Sequence, residues 1–149
     1  MIDEIDISKD QLLECLILFT KLYHKPYTAE ALVADLPLKL GEKTPELFSP
    51  NGSKGLFSRA ARNAGLKSRI AKKSLDEISP LVLPAILVLK AKRACILEAL
   101  DLENRKAKII LPEMGESWSW VDLDDLAKEY IGYAFYLKKE YLPEGQKQK

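Results

Sequence analysis

Apolar positions open the chain at helical spacing. Leu12, Leu13, Leu16, Phe19, Thr20 and Tyr23 recur at three- and four-residue steps and share one face of a helix that Pro26 stops. Ser8 with Gln11 behind it has the reciprocal form of a capping box. Thr28 is placed to cap a second, short helix over Ala29 to Ala34, which Asp35-Leu36-Pro37 ends. Pro37 to Gly55 reads as an irregular connection with Asn51-Gly52 at its tip. In a third helix Leu56, Phe57, Ala60, Ala61 and Ala64 turn inward. Arg59, Arg62 and Asn63 face water there, and Gly65 supplies a left-handed end.

From this point the period falls to two. Leu66 to Ala71 alternates as a half-buried strand does. Ser74-Leu75-Asp76-Glu77 is a second capping-box pattern, opening a short helix that Pro80 cuts off. Beyond Pro84 come strands at Ala85 to Lys90, Ala94 to Leu100 and Lys106 to Leu111, joined by charged turns. Ser117 to Val121 adds another strand, and Asp122 caps a helix holding Leu123, Leu126, Ala127 and Tyr130. Gly132 breaks that helix, and Tyr133 to Lys138 is the last strand. Connections this short favour an antiparallel meander. Helices first and strands afterwards predict an α+β fold, with N-terminal helices packed on a C-terminal antiparallel sheet.

Composition narrows the function classes. The 149 residues, 47% of them hydrophobic, suit one domain with a sizeable core. With 23 Lys and Arg against 22 Asp and Glu, no overall field draws the chain to nucleic acid. The longest apolar run, Leu81 to Leu89, contains Pro84 and falls short of the roughly 20 residues of a membrane span. An acidic start, Met1-Ile2-Asp3-Glu4, lacks the basic and apolar regions of a secretory signal. Cys15 and Cys95 alone fit a reducing compartment. One His and two Cys make no metal site, and the glycines are too scattered to cradle a phosphate, so neither metal nor cofactor is expected.

Candidate chemistry is sparse. Cys15 and His24 would fall on opposite faces of the first helix, about 13 Å apart along its axis, and cannot meet while the helix persists. Both cysteines read as core residues. Trp118 and Trp120 would share one face of a strand, as an exposed binding platform or as core. Tyr23 and Tyr27 flank the first helix end, lining a cleft or packing the helix onto the sheet. Lys67, Arg69, Lys72 and Lys73, with Lys90, Lys92 and Arg93 on a later turn, are either solvated surface or an attractor of an acidic polypeptide or anionic leaflet.

Several ordered strings carry a family resemblance. Asp10-Gln11-Leu12 stands where the papain-like peptidase domain of bacteriocin-exporting ABC transporters has an Asp-Cys-Gly motif. Leu83-Pro84-Ala85-Ile86-Leu87, Ala94-Cys95-Ile96-Leu97, Ile110-Leu111-Pro112 and Tyr130-Ile131-Gly132-Tyr133-Ala134 resemble its later strands. The resemblance covers roughly Ser8 to Lys138. It implies a papain-like cysteine peptidase fold in which Gln11 replaces the catalytic Cys, Ala94 the His and Leu111 the Asp. Leu12-Leu13-Glu14-Cys15-Leu16, Leu36-Pro37-Leu38, Thr44-Pro45-Glu46-Leu47-Phe48, Ala60 to Leu66 and Leu111-Pro112-Glu113 are similar to the degenerate, peptidase-like domains of type I secretion ABC transporters, the branch exporting RTX toxins and large adhesins.

That resemblance implies a non-catalytic domain on the cytoplasmic face of the bacterial inner membrane that docks unfolded secretion substrate. Tyr23, Tyr27, Lys92, Arg93, Trp118 and Trp120 are the candidate substrate contacts. The implied partners are RTX-type cargo, the remainder of the transporter with its ATPase, and the membrane fusion protein of the secretion system; the isolated domain is expected to be monomeric. On this reading residues 1–7 are an N-terminal arm, 8–138 the peptidase-like domain, and 139–149 a linker towards a transmembrane domain. The alternative is an active cysteine peptidase that cleaves leader peptides with Cys15 or Cys95.

Overall fold

The apolar stripe of the first segment does form a helix. A computed structural model describes residues 11–22, 25–34, 36, 47 and 56–139. Helix α1, Gln11–Leu22, buries Leu12, Leu13, Cys15, Leu16, Leu18, Phe19 and Thr20. The one polar member of that face is satisfied: Thr20 Oγ1 donates to the Ile17 carbonyl at 2.7 Å and accepts the Tyr27 N–H at 3.2 Å. A buried hydroxyl left unpaired would be costly; here it fixes the path out of the helix. The Ser8 cap, Tyr23, His24 and the tip of the Pro37 to Gly55 connection lie outside the described residues, as does the tail after Lys139.

Helix α2, Ala29–Leu32, starts as read, with Thr28 Oγ1 accepting the Ala31 N–H at 3.1 Å. It is shorter than expected, because Val33 already acts as its C-cap. Helix α3, Phe57–Asn63, buries Phe57, Ala60 and Ala61, and Gly65 follows at φ 74°. Asn63 does not simply face water. Its Nδ2 donates to the Leu32 and Ala34 carbonyls at 2.8 and 3.1 Å, capping the end of α2 from the neighbouring helix.

Six strands follow: β1 Leu66–Lys72, β2 Ala85–Leu89, β3 Arg93–Asp101, β4 Lys106–Ile110, β5 Ser119–Asp122 and β6 Tyr130–Lys139. They form one sheet in the order β1-β6-β2-β3-β4-β5, with every pairing antiparallel. The meander of β2 to β5 is the expected one. Strand β6 inserts between β1 and β2, so the last strand is interior, one place from the edge. The chain enters β2 through a cis Leu83–Pro84 peptide.

Several boundaries differ from the sequence reading. The segment after Ser74 is a pair of 3-10 turns, Leu75–Glu77 and Pro80–Val82, although the Ser74 N–H does donate to Glu77 Oε1 as the capping box requires. Helix α4, Leu123–Glu129, ends three residues before Gly132, which instead sits inside β6 at φ 101°. A glycine in a strand interior marks an irregularity, and β6 shifts register against β2 over the same stretch. Asp122 is the N-cap by position, yet its carboxylate accepts from Lys106 Nζ at 2.8 Å rather than from the helix.

The sheet is covered on both sides, a third layer that the expected two did not include. One core holds α1 to α3 against Leu66, Ile86, Val88, Ala94, Ile96, Ile110, Phe135 and Leu137. Phe57 stacks on Phe135 there, with ring centroids 4.0 Å apart. The other packs α4 and the Leu75 turn against Leu87, Leu89, Cys95, Leu97, Ala107, Ile109 and Ala134. Strand β2 is buried at all five residues, as a strand sandwiched between layers must be.

Candidate functional site

The first turn of α1 meets the start of β3. Gln11 Oε1 accepts the Ala94 N–H at 3.3 Å, and Gln11 Nε2 donates to Glu113 Oε1 at 2.9 Å. Glu113 lies on the 3-10 turn Pro112–Met114 that Leu111 caps. Its second oxygen, Oε2, accepts from Arg93 Nη2 at 3.4 Å, while Arg93 Nη1 reaches Glu129 Oε1 at 3.5 Å. One chain of polar contacts thus joins α1, β3, the turn after β4 and the last residue of α4. At the far end of α1 Lys21 Nζ meets Glu116 Oε2 at 2.7 Å, so the segment after β4 is tied to both ends of the helix.

Gln11 and Ala94 are therefore brought into direct contact across a long stretch of chain, and Leu111 stands two residues from the Glu113 that Gln11 also holds. Gln11 presents a carboxamide and Ala94 a methyl group. Leu111 packs with the core on the α4 side of the sheet. Neither cysteine reaches the junction surface: Cys15 and Cys95 are both fully buried. Burial also pushes the Cys95 thiol up to about 12, with the nearby Arg93 charge opposing only part of that shift. A thiol so placed stays protonated at neutral pH and is a poor nucleophile.

The remaining candidates are spread out. Arg93 belongs to the junction, held by two carboxylates, while Lys92 is exposed on the β2–β3 turn at φ 59°. Tyr27 is half-buried against the helical core. The two tryptophans are not equivalent. Trp118 precedes β5 and packs against the helical core, whereas Trp120 lies within β5, 55% exposed, opposite Lys108. The Lys108 side chain turns to Trp118 and Glu98: its Nζ lies 5.9 Å from the Trp118 ring centroid and 3.0 Å from Glu98 Oε1. Any platform there consists of one exposed indole bordered by ion pairs.

Sequence reasoning missed Glu113 and Glu129, the carboxylates that hold Arg93. Neither sits in a motif, and only the fold carries them together. Among the described residues no group of three or more His, Cys, Asp or Glu side chains is placed to hold a metal ion. No described helix is long and apolar enough to cross a membrane.

No family model and no curated protein matches the chain. Solved structures do. The N-terminal peptidase C39-like domain of the toxin secretion ATP-binding protein from Vibrio parahaemolyticus is 38% identical with a TM-score of 0.75, over 88% of this chain and 98% of that one. The peptidase domain of Streptococcus ComA, a bi-functional ABC transporter involved in a quorum sensing pathway, superposes with a TM-score of 0.64 at 17% identity, over 93% and 96% of the two chains. A double glycine motif protease from an AMS/PCAT transporter, in complex with its leader peptide, gives 0.63 at 17% identity, over 93% and 89%. These last two share the fold.

Proposed function

The chain belongs to the N-terminal peptidase C39-like domains of ABC transporters, and on that premise we propose that it is a member without peptidase activity, serving to dock unfolded polypeptide for type I export. The observation that carries this reading is the Gln11 carboxamide bonded to Ala94 and Glu113. Cysteine peptidase chemistry needs a thiolate, a base to activate it and a group to orient the base. By the family resemblance those roles fall to Gln11, Ala94 and Leu111, and none of these side chains can ionise. The burial of Cys15 and Cys95 supports the same reading, since neither thiol can reach a peptide carbonyl without opening the core.

A domain of this family that cannot cut still has surfaces that can hold a chain. We assign the contact to the exposed Trp120 with Trp118, to Tyr23 and Tyr27, and to Lys92 and Arg93. The cargo is an RTX-type toxin or adhesin, held before it folds. The rest of the transporter, including its ATPase, and the membrane fusion protein complete the assembly at the cytoplasmic face of the inner membrane, with residues 139–149 leading towards the membrane domain. The test mixes the protein with calcium-free, unfolded RTX cargo, with calcium-folded cargo and with a double-glycine leader peptide. Binding to the unfolded form with an intact leader is expected. Cleavage of the leader, or no binding to either cargo form, overturns the proposal.

A further inference from the structure

Positive charge is unevenly distributed in this near-neutral chain, whose formal net charge is +1. From Leu56 to Lys73, through α3 and β1, it carries Arg59, Arg62, Lys67, Arg69, Lys72 and Lys73 without one acidic residue. On β3, β4 and the turn between them the cations are matched: Arg93, Arg105, Lys106 and Lys108 all pair with carboxylates. None of those in α3 and β1 forms an ion pair among the described residues. Arg69 and Lys72 instead lie over the rings of Tyr136 and Tyr133, each 5.8 Å from the centroid. Strand β6 adds Lys138 beside Lys67 and Lys139 beside Leu66.

Strand β1 is an edge of the sheet. β1 pairs with β6 on one side and with no described strand on the other. The Lys73 N–H donates to the Gly132 carbonyl at 3.0 Å, which sets the phase of the antiparallel ladder. Lys67, Arg69 and Ala71 direct their backbone groups to β6, so Ser68, Ile70 and Lys72 direct theirs outward. Side chains alternate with the same period: Lys67 and Arg69 project on the Tyr136 face and Lys72 on the Phe135 face.

We propose that β1 receives an extended, acidic segment of polypeptide as a seventh strand. Backbone bonds to Ser68, Ile70 and Lys72 would hold it, and its carboxylates would meet Lys67, Arg69 and Lys138 on one face and Lys72 on the other. The same cations would oppose pairing of this edge with a second copy, since that would set cation against cation. An anionic lipid surface would use the charges and leave the outward amides to water; a strand uses both. The proposal rests on the docking function above and adds to the contacts assigned there a second face, at the edge of the sheet away from Trp120, with the chemistry of the segment it takes.

The test titrates the whole protein into a fluorescein-labelled peptide of alternating Asp and Val, followed by anisotropy. Controls are the same peptide N-methylated at every residue, and phosphatidylglycerol vesicles. The double variant Lys67→Glu/Arg69→Glu should weaken peptide binding at least about tenfold, because it sets like charges opposite one another. Ile70→Pro removes an outward N–H and spares the inward ladder, a position where an edge strand tolerates proline; it too should weaken binding about tenfold. The N-methylated peptide tests the backbone bonds without altering the protein.

Equal affinity for the N-methylated peptide, or binding to vesicles alone, overturns strand addition. If the protein ignores the peptide yet binds unfolded cargo, or if the variants bind cargo as the parent does, this face is wrong and the docking function stands. Binding of the peptide without any binding of cargo keeps the strand site and removes the cargo function.

Discussion

Gln11 is the residue on which the functional reading turns. Its amide makes two bonds, to the Ala94 N–H and to Glu113, and a typical bond of this kind contributes about 1 kcal/mol net. Gln11→Ala should therefore lower stability by about 1–2 kcal/mol, read as a shift of the urea midpoint at constant slope. Gln11→Cys should not create a peptidase: Ala94 supplies no base and Leu111 no carboxylate. The expected result is no cleavage of a double-glycine leader and slow labelling of residue 11 by iodoacetamide at neutral pH. Rapid cleavage would show that another group supplies the base. The substitution was visible in the sequence as a departure from a family pattern. Its hydrogen bonds were not, because residues 94 and 113 are remote in the chain and nothing local specifies that they converge on α1.

At the scale of elements, type was easier to read than extent. Helices α1 and α3 and strands β1 to β4 lie close to where the local pattern puts them, whether as a one-sided apolar stripe or, in β2, as a continuous apolar run buried on both faces. The errors cluster where a tertiary contact overrides a local signal. Gly132 looked like a helix stop and is a strand irregularity; Asp122 does stand at the N-cap of α4, but its carboxylate is taken by Lys106. Two substitutions test this level. Phe57→Ala removes the ring stacked on Phe135 from a fully packed site and should cost about 3–5 kcal/mol, with Phe57→Leu a milder companion that keeps the fold measurable by thermal melting. Gly132→Ala places a Cβ that meets nothing within 4 Å, so its cost is backbone strain alone, about 1–3 kcal/mol. A melt unchanged from the parent would show that φ at residue 132 relaxes freely.

For the molecule as a whole, surface pairing sets the pH response. The Asp122 carboxyl lies below its ordinary value near 3.8 chiefly through its hydrogen bond from Lys106, and Lys106 lies above its ordinary 10.5 through the same bond. Asp101 is also lowered, first by the Asn104 side chain and then by its backbone N–H. A lowered carboxyl contributes stability that is complete above the unfolded value and lost as pH falls through the folded one. The raised Lys106, and the Cys95 thiol raised by burial from 9.0 to about 12, contribute stability complete below their unfolded values and lost as pH rises. A plateau from about pH 5 to 8, falling on both sides, is expected in the denaturant midpoint. Asp122→Asn should flatten the acid limb. On the plateau iodoacetamide should label Cys15 and Cys95 only after denaturation.

What the sequence determined by itself was the kind and order of the elements, the α+β class, and the absence of a thiol at residue 11. These follow from local period, capping and residue identity. Only the tertiary structure decided that β6 enters between β1 and β2, leaving the cationic β1 as an edge. It alone brought Gln11, Ala94, Glu113 and Arg93 to one junction. The physical reason is that a strand's alternation states which faces are buried and not which neighbour supplies the hydrogen bonds. That choice is made by long-range pairing, where the edge left open is settled by the packing of the whole chain.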